Sequence, residues 1–233
     1  MEILQTVVVV LGIISFAASG AMVAIDKETD LFGVIFLSVI TCFGGGLLRD
    51  CIFSDMLPAF FGLYLEISVC VLTAVAVFII ASVYKKKYVN EEAKVVAINN
   101  ILDAVGLGIF VSQGTGMYLS KGAFVAIVAG FLSAVGGSII RDVMLGDIPF
   151  ILRKRIYAFA AIVGAGAYFL VAELLMKGSE AAELLATVVC VVLVFGIRMC
   201  ATVFKWNFPK AIRFSEMEQS GSQGDGSSLD KLD

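Results

Sequence analysis

Hydrophobic residues in this chain do not alternate with polar ones. They run together, as in "VVVVLGII" and "LLATVVCVVLVF". Such runs fit neither the two-residue period of a barrel strand nor the single apolar stripe of a surface helix. About 20 residues of α-helix cross the roughly 30 Å of bilayer hydrocarbon with every backbone group bonded inside its own segment. Seven stretches qualify, at about 4–25, 31–54, 64–84, 96–118, 122–146, 156–176 and 182–204. The pattern predicts an all-α membrane protein with seven transmembrane helices. The composition agrees: 60% of the 233 residues are hydrophobic and 16% are charged, with a mean hydropathy of +0.98. A soluble core of this size could not hide that much apolar surface.

The first run carries the small residues "AASGA" but has Glu2 and no Lys or Arg before it, and it is too long for a secretory signal, so it reads as a helix. "YKKKY" with Lys94, "LRKRIY", and Lys205, Lys210 and Arg213 all fall on one side if the spans alternate. That side is expected to be cytoplasmic in a bacterial or archaeal plasma membrane, with the N-terminus outside and the C-terminus inside. The net charge of −3 does not bear on this, because local Lys/Arg bias sets orientation. The ending "SGSQGDGSSLDKLD" is too polar to offset the entropy of ordering, so 211–233 is expected to be a disordered tail. Cys42, Cys51, Cys70, Cys190 and Cys200 show no metal-binding spacing and there is no histidine, so they read as packing residues and no cofactor is expected.

The chain repeats itself. "LGIISFAASG" (11–20) lies over "VGLGIFVSQG" (105–114) at an offset of 94, and "GGGLLRD" (44–50) over "GGSIIRD" (136–142) at an offset of 92. Asp55 then matches Asp147, and Pro58 falls one position from the match to Pro149. Each copy holds three spans, an odd number, so the second copy enters the membrane from the opposite side. The expected organisation is a first repeat over 1–88, an inverted second repeat over 89–178, and a seventh helix over 179–210.

The two motifs place glycines, an Arg and an Asp inside the second and fifth spans. Glycines there are expected to interrupt the helices, and inverted repeats with interrupted helices are how many transporters bring backbone polar groups to the midplane. The plainer alternative is that the glycines let helices pack closely and Arg-Asp marks the membrane edge. Two equivalent copies favour a polar pathway. Neighbouring helical residues point about 100° apart, so Arg49 and Asp50, like Arg141 and Asp142, are not expected to face each other. Four such charges left unpaired would cost on the order of 10 kcal/mol. Each Arg is therefore expected to donate to carbonyls released at the glycine break or to an Asp of the other copy.

These residues carry a resemblance. "GGGLLRD", "GGSIIRDVMLGDIPFILRKRIYA" and "RMCATVFKWNFP" resemble, over about 4–210, the prokaryotic membrane proteins related to the trimeric intracellular cation (TRIC) channels, a family also labelled a glycine transporter domain. The resemblance implies two inverted three-helix repeats plus a seventh helix, second and fifth helices kinked at glycines, a pore inside each protomer, and a homotrimer conducting monovalent cations such as potassium. It implies pore roles for Gly44, Gly45, Gly46, Arg49, Asp50, Gly136, Gly137, Arg141 and Asp142. Ser138 stands opposite Gly46, and Val9 stands opposite Asp103, where the family often has an acid in both copies.

Asp103, within the fourth span, is a candidate for the pathway or for a bond to a neighbouring helix. Glu66 and Glu173 read as interfacial, and Arg198 as snorkelling to headgroups. Tyr84, Tyr88, Tyr157 and Trp206 read as interfacial anchors. Lys85, Lys86, Lys87, Arg153, Lys154 and Arg155 are topology signals and a candidate surface for anionic lipid. Two functions use these atoms. A cation channel needs weak, replaceable oxygen ligands, and with one Asp beside each Arg and no "TVGYG"-type filter it would discriminate poorly between potassium and sodium. A carrier for glycine or another small neutral amino acid would hold the carboxylate on Arg and the ammonium on Asp. Catalysis is not expected: no nucleophile has a nearby base, and no "GxxxxGK[ST]" loop is present.

Overall fold

The computed structural model describes residues 2–54, 56–84, 88, 90–153, 155–174 and 180–204. Among these, seven helices are long and apolar enough to cross a membrane. They are α1 (Glu2–Asp26), α2 (Leu31–Phe53), α3 (Tyr64–Val83), α4 (Glu92–Met117), α5 (Ala123–Met144), α6 (Arg155–Leu174) and α7 (Glu180–Val203). The predicted tail over 211–233 lies outside the described residues. Only short connections separate the helices, so consecutive helices run in opposite directions. We call the face where α1, α3, α5 and α7 begin the first face, and the other the second.

Many large apolar side chains point outward, Phe32, Leu72 and Val192 each more than three-fifths exposed, while Ser38, Thr41, Arg49, Asp50, Asp103 and Arg141 are buried beside the apolar core. Apolar exterior together with buried charge suits a chain whose solvent is lipid, and it marks an integral membrane protein. The buried hydroxyls of Ser38, Thr41, Ser112, Thr115, Ser133 and Ser138 each donate to a carbonyl three or four residues earlier in the same helix. None of these donors is left unmet in the apolar interior.

The packing follows the repeat. Helices α1, α2, α4 and α5 form the centre, α3 covers α1 and α2, and its counterpart α6 covers α4 and α5. Helix α7 packs on α4 and α6. The most extensive pair is α2 with α5, crossing at the glycines. A Cβ on Gly45 would strike the Ser133 carbonyl oxygen and lie 2.7 Å from that of Leu132; a Cβ on Gly137 would strike the Thr41 oxygen and lie 2.6 Å from that of Ile40. At the offset of 92, Ser133 is the counterpart of Thr41, and Leu132 of Ile40. The contact is thus reciprocal, as a two-fold relation between the copies requires.

This corrects the expectation at the motif. Both helices continue as α-helix through their glycines, so no interruption releases backbone carbonyls there. Each helical Gly costs about 1 kcal/mol relative to Ala. Backbone-to-backbone packing, which only a missing Cβ permits, offsets that cost.

Candidate permeation site

Arg49 and Asp50 end the buried part of α2 toward the first face, with 7% and 5% of their surface exposed. Arg49 Nε donates to Asp50 Oδ1 at 2.7 Å, Nη2 lies 2.6 Å from the same oxygen, and Nη1 donates across to Ser133 Oγ of α5 at 3.0 Å. The guanidinium also lies 5.9 Å from the centre of the Tyr118 ring. The other Asp50 oxygen accepts the Ala59 amide at 3.0 Å, at the start of the 3₁₀ turn Ala59–Gly62 that follows Pro58.

The second copy repeats this at the second face. Arg141 Nε and Nη2 donate to Asp142 Oδ1 at 3.0 and 2.8 Å, and Asp142 Oδ2 accepts the Phe150 amide at 2.8 Å, opening the turn Phe150–Arg153 after Pro149. In both copies one carboxylate oxygen takes the preceding Arg and the other caps a short turn after a Pro. The capped amide lies nine residues on in the first copy and eight in the second, which accounts for the one-position mismatch of the prolines.

Two expectations therefore change. Adjacent Arg and Asp do meet along intact helices, because the long Arg side chain curls back over the roughly 100° between them. Neither Arg49 nor Arg141 pairs with an Asp of the other copy; Arg49 reaches the other copy through Ser133, and a separate ion pair at the second face joins Lys27 to Asp147 at 2.7 Å.

Asp103 of α4 pairs with Arg198 of α7 at 3.0 Å and accepts from Tyr157 of α6 at 3.5 Å. The Arg198 guanidinium lies 4.5 Å from the Tyr157 ring centre and 5.5 Å from that of Phe150. Arg198 and Tyr157 are thus buried, 3% and 1% exposed, and are neither a headgroup contact nor an interfacial anchor. Pairing inside the bundle takes precedence over snorkelling when an intramembrane acid lies within reach. Tyr84 is exposed. Trp206, Asp55, Lys85, Lys86, Lys87 and Lys154 lie outside the described residues, as do the side chains of Arg153 and Arg155.

Two groups of cavities lie on opposite faces. On the first face a cavity of ≈ 580 Å³ is lined by Gln5, Thr6, Val9, Gln113 and Met117 among others, with Glu66, Glu183 and Thr187 around it. On the second face a chamber of ≈ 60 Å³ is lined by Ser19, Val23, Asn99, Asn100, Asp103, Ser138, Arg141, Phe150 and Tyr157. Val23 and Asn99 also line an adjoining cavity of ≈ 330 Å³ with Asp26, Tyr88 and Glu92 at its rim. Burial and then the Asp26 charge push the Tyr88 phenol above its ordinary value. At the offset of 94, Gln5, Thr6, Val9, Gln113 and Met117 are the counterparts of Asn99, Asn100, Asp103, Ser19 and Val23. The cavities on the two faces are one place in the repeat, formed twice.

Among the described residues Asn99 Oδ1, Arg141 Nη1 and Arg198 Nε are buried without a partner, and Asn99 and Arg141 line the small chamber. A chamber of this size holds a few waters able to satisfy both groups. The predicted residues thus divide. Asp103, Ser138 and Arg141 line the chamber. Gly44, Gly45, Gly136 and Gly137 form the crossing, and Gly46 lies beside Arg49 with only its Nη2, at 3.8 Å, within reach of an added Cβ. Asp50 and Asp142 cap turns. Ser133, Asn99, Asn100 and the Arg198 pairing were missed. The signal for the asparagines was in the repeat, since polar Gln5-Thr6 and Asn99-Asn100 open equivalent helices. That for Arg198 was its position in an otherwise apolar span, which calls for an intramembrane acid as partner.

Residues 6–82 and 100–173 match the protein family described as "Glycine transporter". The two stretches begin 94 residues apart, the offset of α1 and α4. The membrane protein YvgT of Bacillus subtilis is 34% identical over 204 residues, covering 86% of this chain and 93% of that protein. The inner membrane protein YadS of Escherichia coli K12 is 36% identical over 158 residues, covering 66% and 72% respectively. Among solved structures, a TRIC cation channel studied for conductance is 28% identical with a TM-score of 0.75, covering 89% of this chain and 97% of its own. The TRIC orthologue from Rhodobacter sphaeroides is 29% identical with a TM-score of 0.73, covering 87% and 99%. With the same seven-helix fold as these channels and a family match over both copies of its repeat, this chain belongs to the glycine transporter family of membrane proteins, the family related to the TRIC channels.

Proposed function

We propose that the protein is a channel for monovalent cations, with a pore inside each protomer that runs from the first-face cavity to the second-face chamber. The observation that carries this reading is the pair of repeat-equivalent polar cavities on opposite faces. The likeness to structures described as TRIC cation channels supports it. Acidic Glu66 and Glu183 at one end favour cations over anions. Because α2 and α5 keep their carbonyls in helical bonds through the glycines, no set of free carbonyls there selects by ion size, so potassium and sodium are poorly discriminated. The work is permeation and not catalysis.

In this reading 1–88 and 89–178 are the two inverted repeats and 179–210 the helix that completes the second chamber. Three copies assemble, as the description of the R. sphaeroides orthologue as trimeric suggests. The first face lies outside the plasma membrane and the second inside, by the bias of Lys85, Lys86, Lys87, Arg153, Lys154 and Arg155, which contact anionic headgroups. Bilayer recordings of the purified protein test the proposal: unitary potassium currents are expected, and their absence under a potassium gradient would overturn it.

A second reading, a carrier for glycine or another small neutral amino acid, draws on the family's description and on the unpartnered Arg141 Nη1 and Asn99 Oδ1, a donor for a carboxylate and an acceptor for an ammonium. Saturable uptake of glycine into liposomes without single-channel steps would select it.

A further inference from the structure

Outside the repeat, α7 contributes one buried charge to the second-face chamber, and it goes to a single place. Arg198 Nη2 donates to Asp103 Oδ2 at 3.0 Å, while the Tyr157 and Phe150 rings hold the guanidinium at 4.5 and 5.5 Å. Phe150 is fixed in turn by the Asp142 cap on its amide, and its ring meets Tyr157 edge-on, centroids 5.6 Å apart. Arg198 has little freedom to leave. Its head stands behind Asp103 and Tyr157, which line the chamber while Arg198 itself does not.

The counterpart of Asp103 in the first-face cavity is Val9, and that of Tyr157, at the offset of 91 that holds from the prolines onward, is Glu66. Among the described residues no arginine lines that cavity, whose charged groups are Glu66 and Glu183. Acids stand at both ends of the proposed path, Glu66 and Glu183 at the first face and Asp26 and Glu92 in the cavity adjoining the second-face chamber. The chamber itself differs: there Arg141 is balanced by Asp142 and Asp103 by Arg198.

We propose that Arg198 is a fixed counter-ion for Asp103, and that α7 through this pair sets the charge selectivity of the second-face chamber. This rests on the channel reading. An Arg stays charged at every accessible pH, so removing its carboxylate partner leaves a full positive charge beside the chamber and repels permeating cations. Removing the Arg instead leaves an anion lining the chamber and attracts them.

The test is the cation-to-anion permeability ratio, taken from reversal potentials in a potassium chloride gradient across bilayers holding the full-length protein. Asp103→Asn is expected to lower the ratio about fivefold or more, the effect of one unit charge a few ångströms from a wet path. Arg198→Gln, recorded in alkaline buffer so that the freed carboxylate is ionised, is expected to raise it. The double variant Asp103→Asn with Arg198→Gln returns it toward wild type, which a purely structural role for the pair does not predict. Should Asp103→Asn fail to assemble, Arg198→Gln decides alone. A conducting wild type whose ratio moves in neither single variant overturns this assignment and leaves the channel reading standing. A wild type that passes no cations overturns both.

Discussion

Phe16 and Phe110, counterparts in the two copies, stack on one another with ring centroids 5.0 Å apart and planes 12° apart. Phe16 lies between Val9 at the first-face cavity and Ser19 at the second-face chamber, and Phe110, on a helix running the other way, between Asp103 at the second-face chamber and Ser112 at the first-face cavity. On the proposed path the stack would form an apolar layer between the cavities, seated where the two-fold relation brings a residue against its own counterpart. Phe16 fills the space over Gly106 and is 1% exposed, whereas Phe110 is half-buried.

Truncating the two rings should separate gating from stability. Phe16→Ala empties a fully packed site and is expected to cost about 3–5 kcal/mol, seen as an early loss of monodisperse protein on heating in detergent. Phe110→Ala leaves part of its space already open, so it is expected to cost less and to raise potassium flux by thinning the dry layer. Equal destabilisation with unchanged flux would place the barrier elsewhere.

The glycines of the crossing make unequal demands. Gly45→Ala and Gly137→Ala each drive a methyl into backbone carbonyls, which cannot step aside as a side chain can, and each is expected to cost about 1–3 kcal/mol. Gly46→Ala meets nothing closer than Arg49 Nη2 at 3.8 Å and is expected to be neutral or slightly stabilising through helix propensity. Thermal stability of the three variants side by side checks this ordering.

That ordering also explains what could be read from the sequence. Ser138 stands where the first copy has Gly46, the one position of the three in that copy where an added Cβ meets nothing closer than ordinary contact. The seven spans, their ends and the repeat were legible because apolar run length and a fixed offset are one-dimensional properties. The fate of the motif was not. A glycine pair signals a break as readily as a close approach, and which one obtains depends on whether another backbone arrives. The Arg-Asp pairing was misjudged because helical angles place Cβ atoms, while a guanidinium sits four bonds further on. Arg198 and Asp103 lie 95 residues apart, and their meeting depends on how α7 packs against α4, which the repeat does not specify because α7 lies outside it.

The caps make a paired prediction. Asp50→Ala removes the partner of a buried Arg49 and the acceptor of the Ala59 amide together, and Asp142→Ala does the same to Arg141 and Phe150. Leaving a buried charge unpaired costs about 3–5 kcal/mol, so both variants are expected to express poorly or melt early. Asp142→Ala should in addition disturb charge selectivity, because Phe150 holds Arg198; Asp50→Ala, whose turn holds no such group, should not. Stability assays and reversal potentials on surviving protein separate the two effects.

The equivalence of the two cavities can be tested directly by asking from which side each is reached. Among the described residues Cys51 and Cys200 are the exposed thiols, so their replacement by Ser gives a background that should react little with a charged, impermeant reagent. In that background Gln5→Cys is expected to label only from the outside and Asn99→Cys only from the cytoplasmic side. The two positions lie at equivalent places in the repeat, so only an inversion of one copy relative to the other puts them on opposite faces. Labelling of both from one side would mean that the halves enter the membrane the same way up, and the cavities would then be no two ends of a single path. Protection of either position by a raised potassium concentration, absent when the same osmolarity is supplied by sucrose, would tie that cavity to the permeating ion.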